Sequence, residues 1–510
     1  MQRVVVGSVL ALAGALATAS GAELQNMEVG GQIIVLGEYY TNIAPRDDGL
    51  RIPASRLRGR PIGTGLGEGI FSGFAFDRDG SSSAAVSQWT RFSVEADFTE
   101  GVSTYIEFDN IDVWGPAFRA NYLSGLDVAG AGTVNLYQAY IQTEEMFDHS
   151  LSLRIGRQEL RLGSEWLVGG NDDGPAPAWG LSFDGVRATY GLENLTLDAW
   201  AMTLVEDTTG EADGDANFYG LYGSYTGVEN LTLDAYWMYV RDGSSLNDTE
   251  SSFAMEELED VFGVDGYSPT RLHTVGLRSS ALFGRWDLEA EVAYQFGDAS
   301  HAGSLFRPVF YGDDRADYDN LGMNLQLGYS LDMAWDPRLY VAFAWLEGED
   351  NREITALDLA ASLINPFYTR DASISFNRLF SNWSYSGVLD GTDLSNAYIF
   401  HTGLNLLPTE KIEVSFDLGY YLADETFEHP RFFLFPFWTQ ASSRELGFES
   451  DISLTYNYSE DLYFCVGWDH LFVGAGLEEG NFNSSNGLDF NGGSDGDDVD
   501  YLYVETGIFF

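Results

Sequence analysis

The stretch SLRIGRQELRLGSEWLVGGNDDGPAPAWGLSFDGVRATY, residues 152–190, gathers Arg154, Arg157, Arg161 and Arg187 in a chain with only 26 Lys plus Arg against 78 Asp plus Glu. Four cations close together in so acidic a protein have two physical uses: pairing with neighbouring carboxylates, or presenting a fixed positive patch to an anionic solute. A second basic run, RIPASRLRGRP at 51–61, carries Arg51, Arg56, Arg58 and Arg60, and could form a ring at the mouth of a pore. Catalytic chemistry finds little support. The six histidines (His149, His273, His301, His401, His429, His470) are scattered, and neither G-x-S-x-G nor H-E-x-x-H occurs. The acidic tract GGSDGDDVDY at 492–501 does not fit the D-x-[DN]-x-[DN]-G-x5-E spacing of a calcium loop, and no zinc pattern exists. No enzyme activity, no metal and no cofactor are therefore expected.

Composition narrows the partners. A formal charge of −52, with Lys411 the only lysine, excludes nucleic acid, because phosphate binding needs a basic stripe. The single Cys465 excludes an intramolecular disulfide framework. The N-terminus MQRVVVGSVLALAGALATASGAELQ has one Arg, an apolar run and small residues ending in Ser20-Gly21-Ala22, which reads as a secretory signal peptide cleaved after Ala22 or after Ala19. Its apolar run is shorter than the roughly 20 residues of a spanning helix. The expected division is 1–22 as signal peptide and 23–510 as one domain.

The elements that must position the arginines are strands. In RWDLEAEVAYQF, 285–296, Trp286, Leu288, Ala290, Val292, Tyr294 and Phe296 share one face, and Asp287, Glu289, Glu291 and Gln295 share the other. The same period of two runs through 91–98, 320–330, 411–420 and 451–458. Such alternation suits a soluble sandwich or a membrane barrel equally, because either buries one face against apolar matter. Connection lengths separate them. Short connections at 99–101, 144–149, 191–194, 227–230, 284, 331–337, 408–410 and 459–461 alternate with long ones throughout. That rule predicts an all-β transmembrane antiparallel up-and-down barrel of about eighteen strands, with short periplasmic turns and long extracellular loops.

A local repeat fits this plan. GLENLTLDAWAM, 191–202, and GVENLTLDAYWM, 227–238, lie 36 residues apart, Glu193 against Glu229, and no third copy follows. The interval is one up-strand, one external loop and one down-strand. Leu195, Leu197 and Ala199, with Leu231, Leu233 and Ala235, are expected to meet lipid, and Thr196, Asp198, Thr232 and Asp234 the lumen. Aromatics near strand ends (Tyr39, Tyr40, Tyr236, Trp237, Tyr420, Tyr421, Tyr456, Tyr458) suggest interfacial girdles. The terminal DYLYVETGIFF puts Leu502, Val504, Ile508 and Phe510 on one face.

The hairpin at 152–190, with its Gly-Arg-Gln-Glu strand end, Trp-containing loop and Phe-Asp-Gly-Val-Arg return, resembles the signature hairpin of the alginate export family of outer-membrane porins. The resemblance implies location in the bacterial outer membrane and passive passage of a hydrophilic solute, with export of an anionic polysaccharide of alginate type. It also implies contact with outer-membrane lipid and with periplasmic export partners. From it, Arg157 and Arg187 are expected to face the lumen, with Arg154 and Arg161 as companions. Elsewhere the inferred lumen positions include Arg91 but also Glu95, Asp97, Glu107, Asp109, Asp198, Asp234, Asp287, Glu289, Glu291, Glu413, Asp417, Glu449 and Asp451. That acidity favours an alternative, a general porin preferring cations or neutral sugars. A secreted all-β polysaccharide-binding protein or hydrolase is the alternative from another class.

Overall fold

The computed structural model describes residues 24–42, 44–45, 74–75, 82–114, 134–170, 180–205, 215–242, 270–298, 316–348, 372–373, 375–389, 394–426, 430–432, 436–438, 443–478 and 497–510. The signal segment 1–22, the basic run 51–61 with Arg51, Arg56, Arg58 and Arg60, and residues 492–496 of the acidic tract lie outside them.

Eighteen strands close into one antiparallel barrel. In chain order they are β1 (Leu24–Thr41), β2 (Ser82–Phe98), β3 (Val102–Val113), β4 (Asn135–Thr143), β5 (Leu151–Gln158) and β6 (Phe183–Gly191). Next come β7 (Leu195–Val205), β8 (Ala216–Val228), β9 (Leu231–Asp242), β10 (Thr270–Phe283), β11 (Trp286–Asp298) and β12 (Ala316–Ser330). The circuit ends with β13 (Arg338–Leu346), β14 (Ala397–Thr409), β15 (Ile412–Ala423), β16 (Glu445–Asn457), β17 (Leu462–Val473) and β18 (Val499–Phe509). Each strand pairs with its neighbours in sequence, and β1 closes the ring by pairing with β18, Ile33 opposite Ile508. The backbone of Gly31 and Phe510 completes that seam with two hydrogen bonds of 2.8 and 3.0 Å. Closure removes both sheet edges, which is what lets strands cross lipid with every backbone group satisfied.

Alternating connections are observed as the sequence predicts: the turns after β2, β8 and β14 occupy 99–101, 229–230 and 410–411, and long connections join the opposite ends. The outer surface is apolar at mid-strand, with Leu233, Leu277, Val341, Val466 and Val504 exposed in the isolated chain. This is the band that meets hydrocarbon. The 36-residue repeat falls on β7–β8 and β9–β10, and Asp198 and Asp234 occupy equivalent inward positions on β7 and β9.

Two features depart from the sequence reading. Adjacent aromatics cannot both join a girdle, since neighbouring strand residues face opposite ways. Tyr39 and Tyr420 lie outward, whereas Tyr40, Tyr236 and Tyr421 are buried inside the barrel, Tyr40 stacked on Tyr501 with ring centroids 4.2 Å apart. The interior is also not polar throughout. Towards the long-loop end, inward Phe183, Met202, Phe218, Met238, Val240, Leu272, Leu346, Ile399, Leu446 and Leu471 are all buried and belong to one apolar cluster.

Candidate functional site

What buries those wall residues is the chain's own loops. Residues 159–170, after β5, and 375–389, between β13 and β14, fold into the lumen and meet there. Phe380 N–H donates to the Leu167 carbonyl and Gly169 N–H to the Phe380 carbonyl, both at 2.8 Å, and Val168 bridges Phe380 in parallel. Trp166, fully buried, stacks on Phe376 with centroids 5.6 Å apart and donates its indole N–H to Tyr385 Oη at 2.6 Å. Phe376 rests on Gly322 of β12, where a Cβ would come within 2.3 Å of its ring. Phe380 in turn packs edge-on against Phe183 of β6, centroids 5.1 Å apart. The outer half of the lumen is thus narrowed by a largely apolar plug anchored on both sides of the barrel.

A chain of charges ties the plug to the wall. Arg91 on β2 is buried, its guanidinium 3.9 Å from the ring centroids of both Trp89 and Tyr137. It lies 4.0 Å from Glu107 on β3 and 3.4 Å from Glu159, which also accepts the Tyr137 hydroxyl at 2.6 Å. Arg161 continues the chain, pairing with Glu159 at 3.0 Å and Glu165 at 3.2 Å, and Glu165 accepts the Asn382 amide at 2.9 Å. Glu107 is held by the Gln138 amide at 2.8 Å. Buried charges persist only when paired in this way.

Below the plug, towards the periplasmic turns, the wall is charged and its arginines are matched by acids. Arg187 on β6 pairs with Asp198 on β7 at 2.8 Å, and Asp198 also accepts Thr189 Oγ1 at 2.5 Å. Arg278 on β10 bridges Asp234 at 2.6 Å and Glu289 at 2.5 Å, while Tyr222 donates to Asp234 at 2.7 Å. Arg338 on β13 forks onto Asp287 of β11, with contacts of 3.0 and 2.5 Å. Arg154 on β5 differs. It donates to the Gln142 side chain at 2.8 Å, lies 4.2 Å from the Tyr140 ring centroid, and faces Arg187 directly across the strand pair.

The four arginines of the 152–190 hairpin therefore separate. Arg154 and Arg187 share the inward face, and Arg161 belongs to the plug rather than to a strand. Arg157 is corrected: it lies outward, opposite Asp184, which it grips through two hydrogen bonds of 2.8 and 2.7 Å. The physical reason is parity, because positions three apart on a regular strand fall on opposite faces; neighbouring Ile155 and Gln158 are exposed and buried accordingly. Glu95 lies on β2 opposite Tyr105 and Glu28. Sequence reasoning missed Glu159, whose partners Arg91 and Tyr137 stand on other strands, Glu165, which answers Arg161 and Asn382 within the plug, and the segment 375–389, which carries no periodic signal. Arg278 and Arg338 were readable from strand parity. Asp469 was too.

The family model for alginate export matches residues 104–489. A search of curated proteins gave no match. Among solved structures, Pseudomonas aeruginosa OpdQ is similar at 12% identity and TM-score 0.46, over 94% of this chain and 98% of its own. Pseudomonas aeruginosa OccK8 (OprE) is similar at 12% identity and TM-score 0.49, over 95% and 98%. Acinetobacter baumannii OccAB3 is similar at 10% identity and TM-score 0.49, over 95% and 100%. The eighteen-stranded barrel with a charged lumen, joined to a family match spanning most of the chain, makes this protein an outer-membrane channel for solute passage, and it belongs to the alginate export family.

Proposed function

We propose that the channel passes an anionic polysaccharide of alginate type, with its counter-cations, through a lumen whose charge is divided by sector, residues 1–22 serving as the export signal. The single observation that carries this reading is a row of acids on β15–β17 set apart from the strands that carry Arg91, Arg154 and Arg187, where, among the described residues, Arg91 and Arg187 are paired with acids and Arg154 is not. Arg91, Arg154 and Arg187 lie on β2, β5 and β6. Asp417, Glu449, Asp451 and Asp469 lie on β15, β16 and β17, and the register makes Asp417, Asp451 and Asp469 cross-strand neighbours in one row. In a low-dielectric wall such an arrangement sets up a field across the pore, so a uronate chain is drawn to the arginine arc and its cations to the acidic arc. Periplasmic export partners would deliver the polymer to the charged vestibule below the plug.

A second reading, a general porin preferring cations or neutral sugars, is favoured by one observation: Arg91, Arg187, Arg278 and Arg338 are each already neutralised by carboxylates. Reversal potential in a planar bilayer under a salt gradient, with oligouronate added to one side, separates the two. Anion preference with oligouronate block supports polysaccharide export. Cation preference without block removes it and leaves the porin.

A further inference from the structure

We infer that Glu449, Asp451 and Asp469 form a binding site for a hard divalent cation of the calcium class in the inner wall of the barrel. Three carboxylates from β16 and β17 each offer an oxygen, and these oxygens all lie within 4.8 Å of one another. That is the span open to ligands of one calcium ion, whose bonds of about 2.4 Å place opposite oxygens about 4.8 Å apart. Glu449 is fully buried and Asp469 is 6% exposed.

The second observation concerns partners. Asp469, buried as it is, receives no hydrogen bond and no arginine or lysine among the described residues, and Oδ1 of Asp451 is a buried acceptor with no donor. Asp451 stands directly opposite Asp469 on one side and Asp417 on the other. Like charges facing each other across a strand pair destabilise a sheet, and a buried carboxylate without a partner is more costly still. Glu107, Glu159, Asp198, Asp234, Asp287 and Glu289, by contrast, each have an arginine to answer them. Among the described residues the donors to this cluster fall on Glu449, among them Ser386 Oγ and Gly387 N–H at 2.8 Å. All-oxygen ligands with a triple negative charge suit a hard cation rather than a transition metal.

The cluster also sits where the plug docks. Gly387 approaches so closely that a Cβ there would lie 2.0 Å from Asp469 Oδ2. A cation held by Asp451 and Asp469 would fix Glu449 in the orientation that receives Ser386 and Gly387, coupling ion binding to plug position. Spacing in the sequence gave no metal signal because the ligands come from two strands and meet only through their register.

The test uses protein isolated from outer membranes in detergent, stripped with EDTA and titrated with calcium chloride by calorimetry, sodium chloride being present throughout. The expected result is a calcium isotherm in the wild type that the double variant D451N/D469N lacks or shows at least about tenfold weakened, the least that even outer-shell changes usually cost. Thermal unfolding gives a second reading that does not depend on calorimetry. Calcium is expected to raise the wild-type midpoint and leave the variant's unchanged, and without metal the variant is expected to unfold at the higher temperature, since opposed charges have been removed. The same isotherm and midpoint response in both proteins, which would put calcium elsewhere, or no response in either, which would mean that the carboxylates share protons, overturns the site.

Discussion

Trp166 donates its indole N–H to the Tyr385 hydroxyl at 2.6 Å, joining two inward segments 219 positions apart in the chain. Both side chains are buried, so this bond is made where no water can replace it. Tyr385→Phe leaves the indole without that acceptor and is expected to cost the docked plug about 1–3 kcal/mol. Single-channel recording should then show larger or noisier conductance with the barrel intact. Conductance and noise identical to wild type would mean that the plug does not limit flow.

Arg91 answers both Glu107 and Glu159, and all three sit between wall and plug. Arg91→Ala leaves Glu107 without a cation and Glu159 with Arg161 alone, and breaking a buried pair in this way costs about 3–5 kcal/mol. The expected outcome is a lowered unfolding midpoint in urea together with a reversal potential shifted towards cations. Arg91→Lys restores charge but not the stacking between Trp89 and Tyr137 and should recover only part of the stability.

Arg157 and Arg187 belong to one hairpin but face opposite ways, Arg157 paired outward with Asp184 and Arg187 inward with Asp198. Arg187→Ala is therefore expected to move the reversal potential towards cations, and Arg157→Ala to leave it unchanged. The exposed Arg157–Asp184 pair should contribute no more than about 1 kcal/mol to stability. Equal shifts from both variants would contradict the strand register.

Leu277 and Arg278 are consecutive on β10, yet the first is 62% exposed towards lipid and the second is bonded inside the lumen to Asp234 and Glu289. Leu277→Arg places the same cation in hydrocarbon, at a cost of about 2–4 kcal/mol near the bilayer midplane. Reversible unfolding in lipid vesicles should register this loss. A change within error of zero would mean that this face does not meet lipid.

Much of the architecture was legible because it is local. A period of two fixes which residues share a face, and turn lengths fix which end of each strand is periplasmic. On that basis Asp198 and Asp234 could be placed inward, and Leu197 and Leu233 outward, from the duplicated ENLTLDA alone. The same parity argument, applied strictly, separates Arg154 from Arg157. The family hairpin named both without regard to facing.

Non-local pairing decided the rest. Whether a loop lies over the mouth or folds inside depends on contacts such as Trp166 with Tyr385 and Phe380 with Phe183, which join segments unrelated in sequence. Which arginine is neutralised depends on register between strands, as when Arg278 reaches back to Asp234. The sequence by itself determined the barrel, its faces and its acidity, since these follow from residue order and side-chain chemistry. Only the tertiary structure decided that the outer lumen is narrowed by the chain's own loops, and that Asp417, Asp451 and Asp469 stand in one row, because strand register and inward folding set which side chains meet.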